Sequence, residues 1–207
     1  MTDEIMLKGL VEEITQGFLE YIDSNSVKET LYKMVQKSYM DGLEEAEIQF
    51  DMNFTPDTKS LNFIQEFSFD NVTKLTNDLK DNLKREVNLG IMNRESTSAI
   101  RSRIRDVLDT TIERAEMIQR TELNRANNMG FFEGARDSGL SVKKKWDAQP
   151  ERTSRKGNRV PCVHCEYLDG QVVDMNAQFV DDKGKNFFLP PHHPNCACRV
   201  IYIQEDN

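Results

Sequence analysis

Apolar residues recur at three- and four-residue steps through the first two thirds of the chain, and this rhythm stops after Gly139. Ile5, Leu7, Leu10, Val11, Ile14, Phe18, Leu19 and Ile22 predict a helix over 3–23. The run Asp23-Ser24-Asn25-Ser26 breaks it, and Glu29 stands at capping-box spacing from Ser26. A second helix is expected from Val27 to about Ile48, with Val27, Leu31, Met34, Val35, Tyr39, Leu43 and Ala46 as its stripe, packed on the first as an antiparallel hairpin. Residues 49–57 read as a loop, and Pro56 suits the first turn of a short helix over 56–66. Ser68 then caps a longer one over 69–92, with Phe69, Val72, Leu75, Leu79, Leu83 and Val87 on one face. After an interruption at 93–97, Ser96 or Thr97 opens a helix over 98–108 built on Ile100, Ile104, Val107 and Leu108. Thr110 or Thr111 opens a last helix that ends at Gly139, a residue suited to a C-cap. Its expected buried positions are Ile112, Ala115, Ile118, Ala126, Met129, Ala135 and one of Phe131 or Phe132.

That last helix is unusually polar between Gln119 and Asn128. Arg120, Asn124, Asn127 and Asn128 fall near one face, and Glu122 and Arg125 stand at pairing distance three apart. The stretch is either a solvated face with a weak helix ion pair or a face that hydrogen-bonds the C-terminal segment or a partner. Beyond Gly139 the texture is that of short strands: Val142–Trp146, Gln171–Val173 and Arg199–Ile203, with turns at Asp169-Gly170 and at 181–185. The pattern predicts a mainly α protein: an elongated helical part over 1–109, then a small α+β domain over 110–207.

Composition narrows the picture. The 207 residues carry a net charge of −8 and no apolar run long enough for a membrane span, so neither a membrane partner nor general coating of nucleic acid is expected. The charge is uneven. Residues 1–140 hold 17 Lys+Arg against 26 Asp+Glu, and 141–207 hold 10 against 9. Between Lys143 and Arg159 stand Lys143, Lys144, Lys145, Arg152, Arg155, Lys156 and Arg159, either a phosphate-binding patch or a solvated loop.

All four cysteines and all three histidines lie between Cys162 and Cys198. Cys162-Val-His-Cys165 supplies two thiolates from one turn, and His193-Pro-Asn-Cys196-Ala-Cys198 brings further donors from a remote segment. That is the form of a split zinc site, which needs four nitrogen or sulfur ligands in a tetrahedron. Two disulfides are the alternative. The acidic Met1-Thr2-Asp3-Glu4 opening lacks the apolar run of a secretory signal, and in a reducing compartment the metal is favoured. The expected ligands are Cys162 and Cys165 with two of His193, Cys196 and Cys198; His164 and His192 are weaker candidates. With so many donors the site reads as closed and structural. Pro161-Cys162-Val-His-Cys165 matches half of the zinc deaminase signature, but no histidine stands upstream to complete it. A nuclease of HNH type is suggested by His192, His193 and Asn195, yet those residues are committed to the metal loop. Zinc would supply much of the folding energy of so small a lobe.

Four stretches together resemble the phage head morphogenesis proteins related to phage Mu protein F. Arg120-Thr121-Glu122-Leu-Asn-Arg125-Ala126-Asn-Asn128-Met-Gly130 resembles their R-T-E-x-x-R-A-x-N-x-G helix. Lys144-Lys145-Trp146 resembles the strand that follows, and Cys162-x-x-Cys165-x-x-Leu168-Asp169-Gly170 their C-x-x-C-x-x-L-D-G. Pro190-Pro-x-His193-Pro194-Asn195-Cys196-x-Cys198 resembles their terminal segment, with Ala197 where many members carry arginine. The resemblance covers about 110–203. It implies a structural virion component, present in a few copies, that meets the portal protein or the major capsid protein during head assembly, with viral DNA as a further partner. It implies no catalytic residue. The alternative is a zinc-bearing nuclease or DNA-associated effector delivered with the genome.

Overall fold

The computed structural model describes residues 25–149 and 161–204, together with Gly9, Glu12, Glu13, Gln16, Gly17 and Glu20, all six helical. The expected first helix and its hairpin therefore lie largely outside the described residues. Three long helices come first: α1 (Asn25–Phe50), α2 (Thr58–Met92) and α3 (Thr97–Asp137). Then follow β1 (Val142–Asp147), α4 (Val163–Leu168), β2 (Val172–Asp174), β3 (Phe179–Val180), β4 (Asn186–Phe187) and β5 (Arg199–Gln204). The protein is mainly helical, with a small strand-containing C-terminal region. Among the described residues no helix is long and apolar enough to cross a membrane.

Two expected breaks are absent. Ser68 does not start a helix; it is fully buried inside α2. The cap is Asp57, whose carboxylate accepts from Lys59 N at 3.0 Å and Ser60 Oγ at 3.1 Å. Thr110 and Thr111 do not start one either, because their hydroxyls donate to the carbonyls of Asp106 and Val107 one turn back within α3. The expected break at 93–97 is real. Arg94 takes a positive φ, and Ser96 Oγ accepts from Ala99 N to start α3.

The chain forms two compact units, residues 1–32 with 67–117 and residues 33–66 with 118–207. In the first, Leu75, Leu79, Leu83 and Val87 of α2 are buried as their spacing predicts, and Val87 packs with Ile100 of α3. Arg103 bonds both Glu86 and Glu95 across this corner. Ile112, expected to be buried, is 58% exposed and does not join the core.

In the second unit the segments of α1 and α3 cross at glycines. A Cβ on Gly42 would lie 2.0 Å from the Asn127 carbonyl oxygen, and one on Gly130 would lie 2.0 Å from that of Tyr39. Beside the crossing Tyr39 donates to the buried Glu133 and accepts from Asp57 N. The core joins Ala46, Ala135 and both Phe131 and Phe132 of the helices to Trp146, Leu168, Phe179, Val200 and Tyr202. The sheet has the order β2-β1-β5, antiparallel throughout, and β3 and β4 form a separate hairpin that the sequence reading treats only as a loop. Gly139 adopts φ +67 just past α3, as a C-cap should.

Candidate metal centre

The first arm is α4 and its ends. Cys162 caps this short helix, its sulfur accepting from Cys165 N at 3.4 Å. Leu168 is fully buried, and Asp169 Oδ1 accepts from Ala148 N at 2.9 Å. Gly170, at φ +74, turns the chain so that its N–H reaches Trp146 O at 2.9 Å. The Leu-Asp-Gly triplet thus fastens the cysteine turn to β1.

The second arm, 192–198, lies against α3. Arg120 Nε donates to Asn195 Oδ1 at 2.8 Å, and Asn195 N donates to Thr121 Oγ1 at 2.8 Å. Asn124 Nδ2 reaches the carbonyls of Cys196 and Cys198 at 3.1 and 2.9 Å. Asn128 is buried, donates to Cys198 O and accepts from Val200 N at 2.9 Å. The polar stretch of α3 is therefore a hydrogen-bonding face for the cysteine segment. A solvated face is excluded at Thr121, Glu122 and Asn128, all buried. Glu122 pairs with Arg125 at 3.0 Å, and Asn127 turns instead to Glu45. The density of amides on one helix is the signal in the sequence; that Thr121 and Asn195 are also contact points is not visible there.

These arms bring all five expected donors together as two overlapping groups, Cys162 with Cys165 and His193, and Cys165 with Cys196 and Cys198. His193 Nδ1 lies 2.8 Å from Pro194 O. A carbonyl can only accept, so Nδ1 carries a proton, and Nε2 is the nitrogen turned to the sulfurs. Nε2 stands 3.1 Å from Cys162 Sγ and 3.2 Å from Cys165 Sγ. An outer hydrogen bond of this kind orients a ligating histidine. Cys165 Sγ is 3.8 Å from Cys196 Sγ. Zinc–sulfur bonds of about 2.3 Å in a tetrahedron set sulfurs about 3.8 Å apart, whereas a disulfide needs about 2.05 Å. All four cysteines are free. The donor set fits a thiophilic divalent ion of zinc type.

Electrostatics point the same way. Hydrogen bonds from Cys165 and Cys198 hold the Cys196 thiol far below its ordinary value despite its burial. The bond to Cys196, then that to Cys198, then burial push Cys165 well above. The three buried sulfurs thus sit close enough for each to perturb the titration of the others. A divalent cation would replace the remaining protons, so uptake of metal would release protons.

Comparison with known proteins agrees with the motifs. A family model described as Phage Mu protein F like protein matches residues 81–201. The chain belongs to that family. Among curated relatives, "Minor head protein GP7" of Bacillus phage SPP1 is 25% identical over 134 residues, 61% of this chain and 41% of that one. "NAD(+)--arginine ADP-ribosyltransferase EFV" of Enterococcus faecalis is 27% identical over 138 residues, 63% of this chain and 27% of that one. The chain therefore spans less than half the length of either. No solved structure matches.

Other residues of the sequence motifs have legible tasks: Gly130 permits the helix crossing, and Arg120 bonds Asn195 of the second arm. The remaining histidines face carboxylates. His164 Nδ1 is 3.1 Å from Asp182, and His192 Nε2 is 3.2 Å from Asp181, which also accepts from Lys183 N and Lys185 N. Of the basic patch, Arg152, Arg155, Lys156 and Arg159 lie outside the described residues. Lys143 and Lys145 are partly exposed. Lys144 is not available to a phosphate. It is fully buried, donating to the carbonyls of Ala177 and Phe188 at 2.8 and 3.1 Å, with its ammonium 3.6 Å from the centre of the Phe188 ring. Strand alternation explains the correction: Val142, Lys144 and Trp146 share the inward face of β1.

Proposed function

We propose that this chain is a structural minor head protein of a tailed virus, acting at the portal or the capsid interior in a few copies per virion. In this reading four of Cys162, Cys165, His193, Cys196 and Cys198 hold a zinc ion, which locks residues 110–207 into a rigid domain. The observation that carries it is the coincidence of two independent things. The residues whose pattern resembles the family's helix, Arg120 to Asn128, lie within the matched range and include the ones that grip the cysteine arm. The similarity to a minor head protein of phage SPP1 supports the virion role.

The portal protein and the major capsid protein are the partners this reading assigns, and the host cytoplasm is the place of assembly. Viral DNA is a weaker partner, since Lys144 is withdrawn into the core. Transferase activity belongs to the name of the enterococcal relative, and no catalytic residue is assigned to this chain. The zinc would act only as a cross-link between the two arms. The test combines protein mass spectrometry of purified virions with metal analysis of the isolated chain. The chain should be found in particles and carry one zinc. Absence from virions overturns the head-protein role, and a metal-free folded lobe overturns the zinc.

A further inference from the structure

Among the described residues, the core covers one side of the three-stranded sheet and leaves the other side partly exposed. Along β1 and β5 the inward residues are Val142, Lys144, Trp146, Val200 and Tyr202, so their neighbours point the other way. On that open side the register sets Lys145 between Val172 of β2 and Ile201 of β5. The next row sets Lys143 between Asp174 and Ile203. A solvated face normally alternates to polar residues. Here Val172 is 48% exposed and Ile203 is 42% exposed, which leaves aliphatic surface on both sides of a line of lysines.

The charges on this face are not equivalent. Arg199 donates to Asp147 at 2.7 Å, and Lys143 lies 3.9 Å from Asp174. Among the described residues no carboxylate pairs with Lys145, which is flanked by methyl groups. We infer that this open sheet face docks another protein of the particle, through an aliphatic segment carrying a carboxylate that meets Lys145. The inference rests on the head-protein reading above and adds the chemistry of the contact. A duplex is the poorer occupant. It wants a row of uncompensated cations, and Asp147 and Asp174 stand on the same face. Aliphatic side chains around a single charged pair suit the buried middle of a protein interface.

The test immobilises the full chain and adds purified portal protein and purified major capsid protein of the same virus in separate runs. Wild type should bind one of them. Lys145→Glu and Ile203→Asp should each weaken that binding by about tenfold or more, while Lys183→Glu in the β3–β4 turn should change it by less than about twofold. Metal content and the near-ultraviolet circular dichroism of Trp146 report that each variant is folded. Should Ile203→Asp fail that check, Lys145→Glu decides alone. Unchanged affinity in a folded Lys145→Glu variant overturns the inference and leaves the head-protein reading standing. Failure of wild type to bind either protein counts against that reading itself. Two other outcomes also overturn the inference: a short DNA duplex bound through Lys145 with steep salt dependence, or a dimer of the chain that dissociates in Ile203→Asp.

Discussion

The two compact units are held by different kinds of force. The first is a matter of helical periodicity: Leu75, Leu79, Leu83 and Val87 lie on one stripe, and a single arginine, Arg103, bridges two carboxylates at the α2–α3 corner. The second depends on partners distant in sequence. Its cysteine arms are some 30 residues apart, its Asn124 and Asn128 amides bond carbonyls about 70 residues away, and Lys144 bonds carbonyls 33 and 44 residues on. Local contacts make a unit whose parts can be altered one at a time. Non-local polar contacts, once buried, make each member costly to lose, because its partner is left unsatisfied.

The sharpest way to break this contrast is Cys165→Ser, since Cys165 belongs to both donor groups. A structural zinc contributes about 10–16 kcal/mol in apparent terms, comparable with or above the roughly 5–15 kcal/mol by which whole domains are stable. The variant should lose its metal and the near-ultraviolet signal of Trp146, while most far-ultraviolet helicity persists. A variant that keeps that signal without metal would remove the distinction between the units.

Next is Asn128→Ala, which strips the acceptor from Val200 N and a donor from Cys198 O. The expected loss is about 2 kcal/mol, read as a lower denaturant midpoint with unchanged slope. A neutral result would return the α3 amides to the role of a solvated face.

Lys144 gives a pH signature. Burial pulls its ammonium down from 10.5 to about 8. Between those values the unfolded chain binds more protons than the folded one, so this group makes stability rise with pH through the window. Lys144→Met should flatten the rise, a difference on the order of 2 kcal/mol across the window between the two curves. Parallel curves would mean that the ammonium is better compensated than its two carbonyls and aromatic walls suggest.

The smallest effect belongs to the first unit. Hydrogen bonds from Arg103 hold Glu86 and Glu95 below the usual carboxylate range. Their contribution is present above the ordinary carboxylate pKa and is lost as pH falls through the lowered one. Arg103→Ala should remove that acid dependence and shift the thermal midpoint less than any substitution above. A larger shift than that of Asn128→Ala would reverse the comparison.

The stripe Leu75, Leu79, Leu83 and Val87, the Gly139 cap and the Ser96 start were legible because each depends on neighbours within one turn. The same local logic misplaced the starts at Ser68 and Thr110. A serine or threonine inside a helix can bond its own backbone or be buried, and spacing alone does not tell these from a cap. The metal donors were legible as a set, because cysteine and histidine are scarce and clustered. Their division into two overlapping groups was not.

By itself the sequence determined which residues could bind a metal, that most of the chain is helical, and which family it resembles, since each of these lies in residue type and short-range spacing. Only the tertiary structure decided that Lys144 faces the core, that His193 offers Nε2 and that Asn128 and Asn195 stitch α3 to the cysteine arm. Those outcomes depend on which strand face is covered and which carbonyl is in reach, and both are set by contacts between segments far apart along the chain.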